Sequence, residues 1–353
     1  LSRNNLNNQN KLNMKKVIFI LALALTGSMT FAQDTPLEIS GSADVYYKYD
    51  FSKISNSSGA AYTGQPYTSF GTDQNSVSLG MIDIALKKTT GKTSFVGEVS
   101  FGPRGQFQSI PNGDDGNSFH IQNLYATYKA TDKLSFTAGY MGTFIGYEVI
   151  SPLANFHYST SYMFTNGPFQ NAGVKANYAI SDKVGIMVGA FNDSWNKYAA
   201  DSFKGLNAIG AQLSFAPTEG VSAYLNFMDG SVSGTIVDLT ASFQITEKFK
   251  LGLNSADYSN EGDAGYTGVA LYPSVAVTDN FGLGLRGEYF KFKEGWGDTS
   301  VTALTLSANL KSGGLTVIPE FRLDSGKDKI FVDSDLAPTK SFSQVSVALV
   351  YGF

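Results

Sequence analysis

The chain has 353 residues, no cysteine and two histidines, which excludes a disulfide scaffold, thiolate metal sites, cysteine nucleophiles and a histidine-rich metal centre. Charged residues make up only 16%, against roughly 25% in an ordinary soluble domain, while 19 Tyr, 26 Phe and 37 Gly weight the composition toward β-structure. An apolar fraction of 42% is too low for a bundle of membrane helices.

Residues 14–32 read MKKVIFILALALTGSMTFA. Lys15 and Lys16 precede an apolar run, Val17 to Leu25, and Ala32 supplies a small residue at a cleavage point. This pattern predicts a secretory signal peptide, since the run is too short to span a bilayer as a helix. Residues 1–13, ahead of the Met, are expected to be an upstream segment outside the native start. Residues 1–32 hold Arg3, Lys11, Lys15 and Lys16 and no acid, so residues 33–353 carry 22 bases against 30 acids, a net −8. That sign disfavours a nucleic-acid binder.

From Leu37 onward the dominant period is two. Leu37, Ile39, Gly41, Ala43, Val45, Tyr47, Tyr49 and Phe51 share one face; Glu38, Ser40, Ser42, Asp44, Tyr46, Lys48 and Asp50 share the other. The pattern recurs and predicts sixteen strands, at about 37–51, 76–88, 93–101, 118–130, 134–146, 170–180, 184–192, 205–215, 221–228, 235–245, 249–258, 266–277, 281–292, 299–310, 315–323 and 341–353. In the second, Val77, Leu79 and Met81 are out of phase with Ile82, Ile84 and Leu86, which a β-bulge near Gly80 to Ile82 reconciles.

Every second connection is tight, and four share a pattern: Thr131-Asp132-Lys133, Ser181-Asp182-Lys183, Thr246-Glu247-Lys248 and Thr278-Asp279-Asn280. The others are longer, among them 52–75, 102–117, 147–169, 193–204 and 324–340. Short turns at one end and long loops at the other predict an all-β fold, a single transmembrane antiparallel up-and-down barrel over residues 33–353, with periplasmic turns and extracellular loops. Lipid demands closure, because an open sheet edge leaves polar backbone groups unpaired. Aromatics on the apolar faces then form two girdles. Phe95, Tyr128, Phe136, Tyr178, Phe215, Phe243, Phe249, Phe281 and Phe353 lie toward the short turns; Tyr47, Tyr49, Phe51, Phe144, Phe227, Tyr289 and Phe321 lie toward the long loops. The final strand ends on aromatic Phe353, which resembles the signal read by bacterial barrel-assembly machinery.

Three stretches resemble the putative β-barrel porin-2 family, the OmpL-like porins. They are Ser78–Gly105 with its Phe101-Gly102-Pro103-Arg104 turn, the run from Ala138-Gly139-Tyr140 through Gly167-Pro168-Phe169 to Asp193, and Pro319-Glu320-Phe321-Arg322. The resemblance implies an outer-membrane porin of a Gram-negative bacterium. It carries no catalytic motif.

The inward faces offer Asp44, Lys48, Glu98, Lys175, Arg286, Glu288, Glu320 and Arg322 as pore lining, where lumen water makes charge tolerable. Glu320 with Arg322 and Arg286 with Glu288 lie two apart on their strands, so each pair reads either as a transverse field or as a wall-bound ion pair. Loop 147–169 is long enough to fold into the lumen, which would set Glu148, Asn155, His157 and Tyr158 in the solute path. Gly282-Leu283-Gly284-Leu285-Arg286-Gly287 matches a dinucleotide fingerprint but sits within a strand; inward glycines that keep the lumen open explain it better. Asn112 to Asn117 lacks calcium-loop spacing and reads as a surface turn. His157 with Ser159 matches no hydrolase motif.

The expectation is a passive channel for small hydrophilic solutes, without catalysis, cofactor or metal. The alternatives are a non-conducting surface-contact barrel and, less favoured, an outer-membrane enzyme. The expected partners are outer-membrane lipid, the barrel-assembly machinery and the solutes; homotrimer and monomer remain open.

Overall fold

The computed structural model describes residues 34–52, 65–105, 119–200 and 205–353. The upstream segment, the signal-peptide segment 14–32 and the acidic turn 112–117 lie outside the described residues.

Sixteen antiparallel strands close into a barrel. In chain order they are β1 (Glu38–Asp50), β2 (Ser76–Thr90), β3 (Thr93–Phe101), β4 (Phe119–Lys129), β5 (Leu134–Gly142), β6 (Gln170–Ala179), β7 (Val184–Phe191), β8 (Ala208–Phe215), β9 (Val221–Gly230), β10 (Gly234–Gln244), β11 (Phe249–Ser259), β12 (Gly265–Thr278), β13 (Phe281–Phe292), β14 (Ser300–Ser312), β15 (Leu315–Gly326) and β18 (Ser341–Gly352). Each pairs with its sequence neighbour, and β1 pairs with β18 to close the ring. A two-stranded ribbon, β16 (Phe331–Val332) with β17 (Pro338–Thr339), stands in the connection before the last strand.

The alternation of the sequence becomes an inside and an outside. Along β14, Thr302, Leu304 and Leu306 are exposed and Val301, Ala303 and Thr305 are buried. The expected bulge lies in β2. Ala43 faces Ile82 but Val45 faces Leu79, so Gly80 and Met81 together oppose Asp44. The Asp44 carboxylate accepts the Met81 N–H at 3.0 Å, pairing the backbone group that the extra residue frees.

The repeated turns share one device. The Thr131 hydroxyl accepts the N–H groups of Lys133 (3.2 Å) and Leu134 (3.0 Å), and Ser181 does the same for Lys183 and Val184. Thr246 repeats it with Lys248 and Phe249, and Thr278 accepts from Asn280.

Tyr128, Phe136, Tyr178 and Phe215 are exposed at the short-turn end, and Phe51, Tyr289 and Phe321 at the other. Phe144 departs from the expected girdle. β5 stops at Gly142, four residues before the expected end, so Phe144 belongs to the following loop and packs on Phe191, ring centroids 5.6 Å apart.

Leu306 projects from the middle of β14, 51% exposed. Leu306→Arg is expected to cost about 2–4 kcal/mol, read as a lowered denaturant midpoint of the refolded barrel, whereas Leu306→Ile leaves it in place.

Candidate functional site

The connection from β5 to β6, residues 143–169, turns into the barrel and packs against the inner faces of β10 to β15, β18 and β1. Within it lies a short helix, α1 (Tyr162–Asn166), whose preceding Ser161 hydroxyl accepts the Phe164 N–H. Its entry is fixed by Gly146, at φ +91°, whose N–H reaches Asp238 on β10 at 3.0 Å.

Small residues on the wall make room for it. A Cβ on Gly252 would collide with Tyr147, on Gly268 with Met163, on Gly284 with Phe156 and on Gly352 with Leu153. The glycines of the 282–287 run on β13 therefore do not hold the lumen open as expected. Gly282 and Gly284 form the seat of the Phe156 ring.

The charged wall residues then bind the loop largely through its backbone. Glu320 accepts the N–H groups of Tyr158 (2.9 Å) and Ser159 (3.2 Å). Glu288 accepts those of Tyr162 and Met163, both at 2.9 Å. Arg286 donates to the carbonyls of Ser159 (2.6 Å) and Thr160 (3.2 Å), and Arg322 donates to Thr160 O at 2.8 Å. Such charge-assisted bonds are roughly twice as strong as neutral ones. Two tyrosines add side-chain anchors on separate strands: Tyr158 donates to Asp44 on β1 (2.6 Å) and Tyr162 to Asp324 on β15 (2.7 Å).

Of the four loop candidates, Glu148 takes Arg286 in an ion pair at 2.6 Å and accepts the Ser161 N–H and hydroxyl. Tyr158 is 2% exposed, beneath the Arg104 guanidinium, whose carbon lies 4.7 Å from the ring centre. Asn155 bonds both backbone groups of Val149, so it staples the loop to itself. His157 is bonded to Ser307 of β14 at 2.7 Å, not to Ser159. The Ser307 proton goes to Glu320 (2.8 Å), so Ser307 accepts from His157 and Nδ1 carries the hydrogen.

Burial, reinforced by the Arg286 charge, holds the His157 imidazole well below the usual histidine range. Native His157 therefore binds fewer protons than unfolded His157 below about pH 6.5, and loop docking weakens as pH falls through that point. Channel currents of the refolded barrel are expected to become noisier from about pH 7.5 to about pH 5.5, with His157→Gln showing a smaller change across that interval.

The eight wall candidates divide into two groups. Asp44, Lys48, Arg286, Glu288, Glu320 and Arg322 face inward as the alternation demands, yet all are buried beneath polypeptide rather than lumen water. Lys48 donates to Gln65 O at 2.7 Å, and Arg104 over the loop sits 3.6 Å from Asp44. Neither spaced pair is an ion pair within itself: Arg286 pairs with Glu148, and Arg322 pairs with Asp324 at 2.8 Å. Glu98 on β3 and Lys175 on β6 are only half-buried, on the opposite wall. There Tyr125, Asn177, Gln212 and Tyr224 are also partly exposed. Arg104, Asp238 and Asp324 are further charged residues of the site that sequence reasoning missed. Asp324 continues the Glu320, Arg322 alternation by one step, and Asp238 holds an inward position on β10, so strand parity was the signal for both. Arg104 lies in an irregular turn and carries no periodic signal.

The barrel is similar to solved porins. The anion-selective porin from Comamonas acidovorans is 13% identical with a TM-score of 0.62, covering 91% of this chain and 100% of that one. OprB of Pseudomonas putida is 10% identical with a TM-score of 0.60, covering 90% and 94%. OmpF of Salmonella typhi is 12% identical with a TM-score of 0.59, covering 91% and 100%. No curated protein matches the sequence. Residues 36–353 match the family described as putative beta-barrel porin-2, OmpL-like, and the chain, a closed barrel with a long loop laid along its inner wall, belongs to that family of outer-membrane channels.

Proposed function

We propose that the protein is a passive, water-filled channel for small hydrophilic solutes, narrowed by residues 143–169. The observation that carries this reading is the two-sidedness of the lumen. The loop buries Asp44 of β1 and the charges of β13 and β15, while the inner faces of β3 to β9 keep half-buried polar side chains, among them Glu98, Tyr125, Lys175 and Tyr224. A sixteen-stranded wall encloses more than side chains fill, so a loop on one side narrows the pore and leaves the other side wet. The buried charges hold the loop; Glu98 and Lys175 meet the solute. In the same reading residues 14–32 are removed on export, and the strand ending in Phe353 is presented to the assembly machinery.

Single-channel recording of the refolded residues 33–353 under a salt gradient tests this. Stable ohmic steps are expected. A heat-resistant, correctly folded barrel that gives none overturns it and favours a surface-contact barrel. Lys175→Glu is expected to shift the reversal potential toward cation preference, whereas Lys48→Gln, in a buried position, shifts it little.

A further inference from the structure

The barrel wall is not equally continuous all the way round. The β4–β5 ladder runs from Lys129 opposite Ser135 to Leu124 opposite Tyr140, six pairs, and stops. β4 continues to Phe119 and β5 to Gly142, and among the described residues these ends are paired on their far sides alone, with β3 and β6. Gly139, at φ +139° and beside the last pairs, takes a backbone angle suited to glycine, and a Cβ there would collide with the β4 backbone at Leu124 and Tyr125. By contrast β10 and β11 stay paired from Gln244–Lys250 to Thr235–Ser259.

Unpaired backbone is costly in lipid, and here side chains replace the ladder. Tyr198 OH accepts the Ile121 N–H at 2.8 Å, Asn123 Oδ1 accepts the Gly142 N–H at 2.8 Å, and Gln170 Nε2 donates to Gln122 O at 2.7 Å. Tyr198 belongs to the β7–β8 connection, whose Asn196 accepts the N–H groups of Phe169 and Gln170. Tyr140 shares the outward parity of Phe136 but is only 6% exposed, because Tyr198 lies against it with ring centroids 4.9 Å apart. The break begins four residues above Phe136, about 10 Å along the axis for tilted strands. The apolar band is about 25 Å tall, so the break faces the leaflet on the long-loop side.

Behind it lies an apolar cluster with the Arg104 guanidinium 4.4 Å over its Phe70 ring. Phe70, Met81, Ile150 and Phe169 form a buried cluster with Phe164 against it, and Gln122 of the break contacts Met81. A break with polar side chains at its edges, an apolar cluster inside and lipid outside suits a molecule that is both. The geometry points to a side portal between β4 and β5, through which a single-chain amphiphile such as a fatty acid passes between the lumen and the outer leaflet, with Asn196 and Tyr198 as its cover.

The test uses the refolded barrel in liposomes, with dodecanoic acid as amphiphile and glucose as hydrophilic control. Because the chain lacks cysteine, Asn123→Cys with Gly142→Cys can be joined selectively by a short bis-maleimide. Linking is expected to abolish protein-dependent dodecanoate transfer and leave glucose flux unchanged. Tyr198→Ala, at a 49% exposed loop residue, is expected to speed transfer about tenfold, the factor equivalent to about 1.4 kcal/mol, one hydrogen bond. Unchanged transfer in the linked barrel, parallel loss of both fluxes, or no effect of Tyr198→Ala each overturns the portal. Failure of glucose flux in the unmodified barrel would instead overturn the hydrophilic-channel reading, leaving dodecanoate transfer as a separate readout.

Discussion

Arg286→Met is expected to release residues 143–169 from the wall, giving larger and noisier single-channel currents and a lower denaturant midpoint. Arg286 is fully buried and donates to Glu148, to the carbonyls of Ser159 and Thr160, and to the hydroxyls of Ser159 and Thr305. Methionine keeps much of the length but none of the donors. Glu148 is then left as a buried carboxylate without its cation, a loss of about 3–5 kcal/mol when one partner of a buried pair is removed. The double variant Arg286→Met with Glu148→Gln separates the charge effect from the rest. It is expected to recover a large part of the midpoint, because no uncompensated charge remains, while the currents stay noisy because the carbonyl contacts are still missing. Equal midpoints for the single and double variants would show that the pair does not govern the loop.

Gly284→Leu is expected to expel the same loop by volume alone. The Phe156 ring occupies the space that a side chain at 284 would need, so even the first carbon collides with it. Overpacking usually costs about 1–3 kcal/mol, and here the strand backbone on one side is held by two ladders, so the loop is the part that yields. Phe156→Ala in the Gly284→Leu background restores room and is expected to return quiet currents. Gly287, which faces open space, supplies the control: Gly287→Ala leaves the currents unchanged.

The wall was legible in the sequence because its physics is local. Period-two alternation, the hydroxyl-capped turns and the bulge at Gly80–Met81 each depend on residues a few positions apart. The inward parity of Arg286, Glu288, Glu320 and Arg322 was legible for the same reason. What those groups face was not, since parity states a direction and not a partner. Their partners, Tyr158 to Met163, lie more than a hundred residues away in sequence and meet them only once the barrel is closed. The role of Gly284 was hidden likewise: a glycine on an inner face reads the same whether it leaves a gap or a seat. Asp324 was assigned to a loop because β15 runs three residues further than its apolar alternation suggested.

The contacts of Tyr158 to Met163 with the wall include the N–H groups of residues 158, 159, 162 and 163 and the carbonyls of 159 and 160. The barrel thus holds its own loop much as a receptor holds a bound peptide, largely by its amide groups, with Glu288, Arg286, Glu320 and Arg322 as the receptor side chains. Amide recognition is indifferent to most side chains. Loop positions outside this stretch, such as half-buried Val149 and exposed Ala154, are therefore free to change size and charge while the docking stays in place. The wall and the six docked residues form a fixed mount, and the permeability of the channel can diverge by substitution on the part of the loop that the mount does not read.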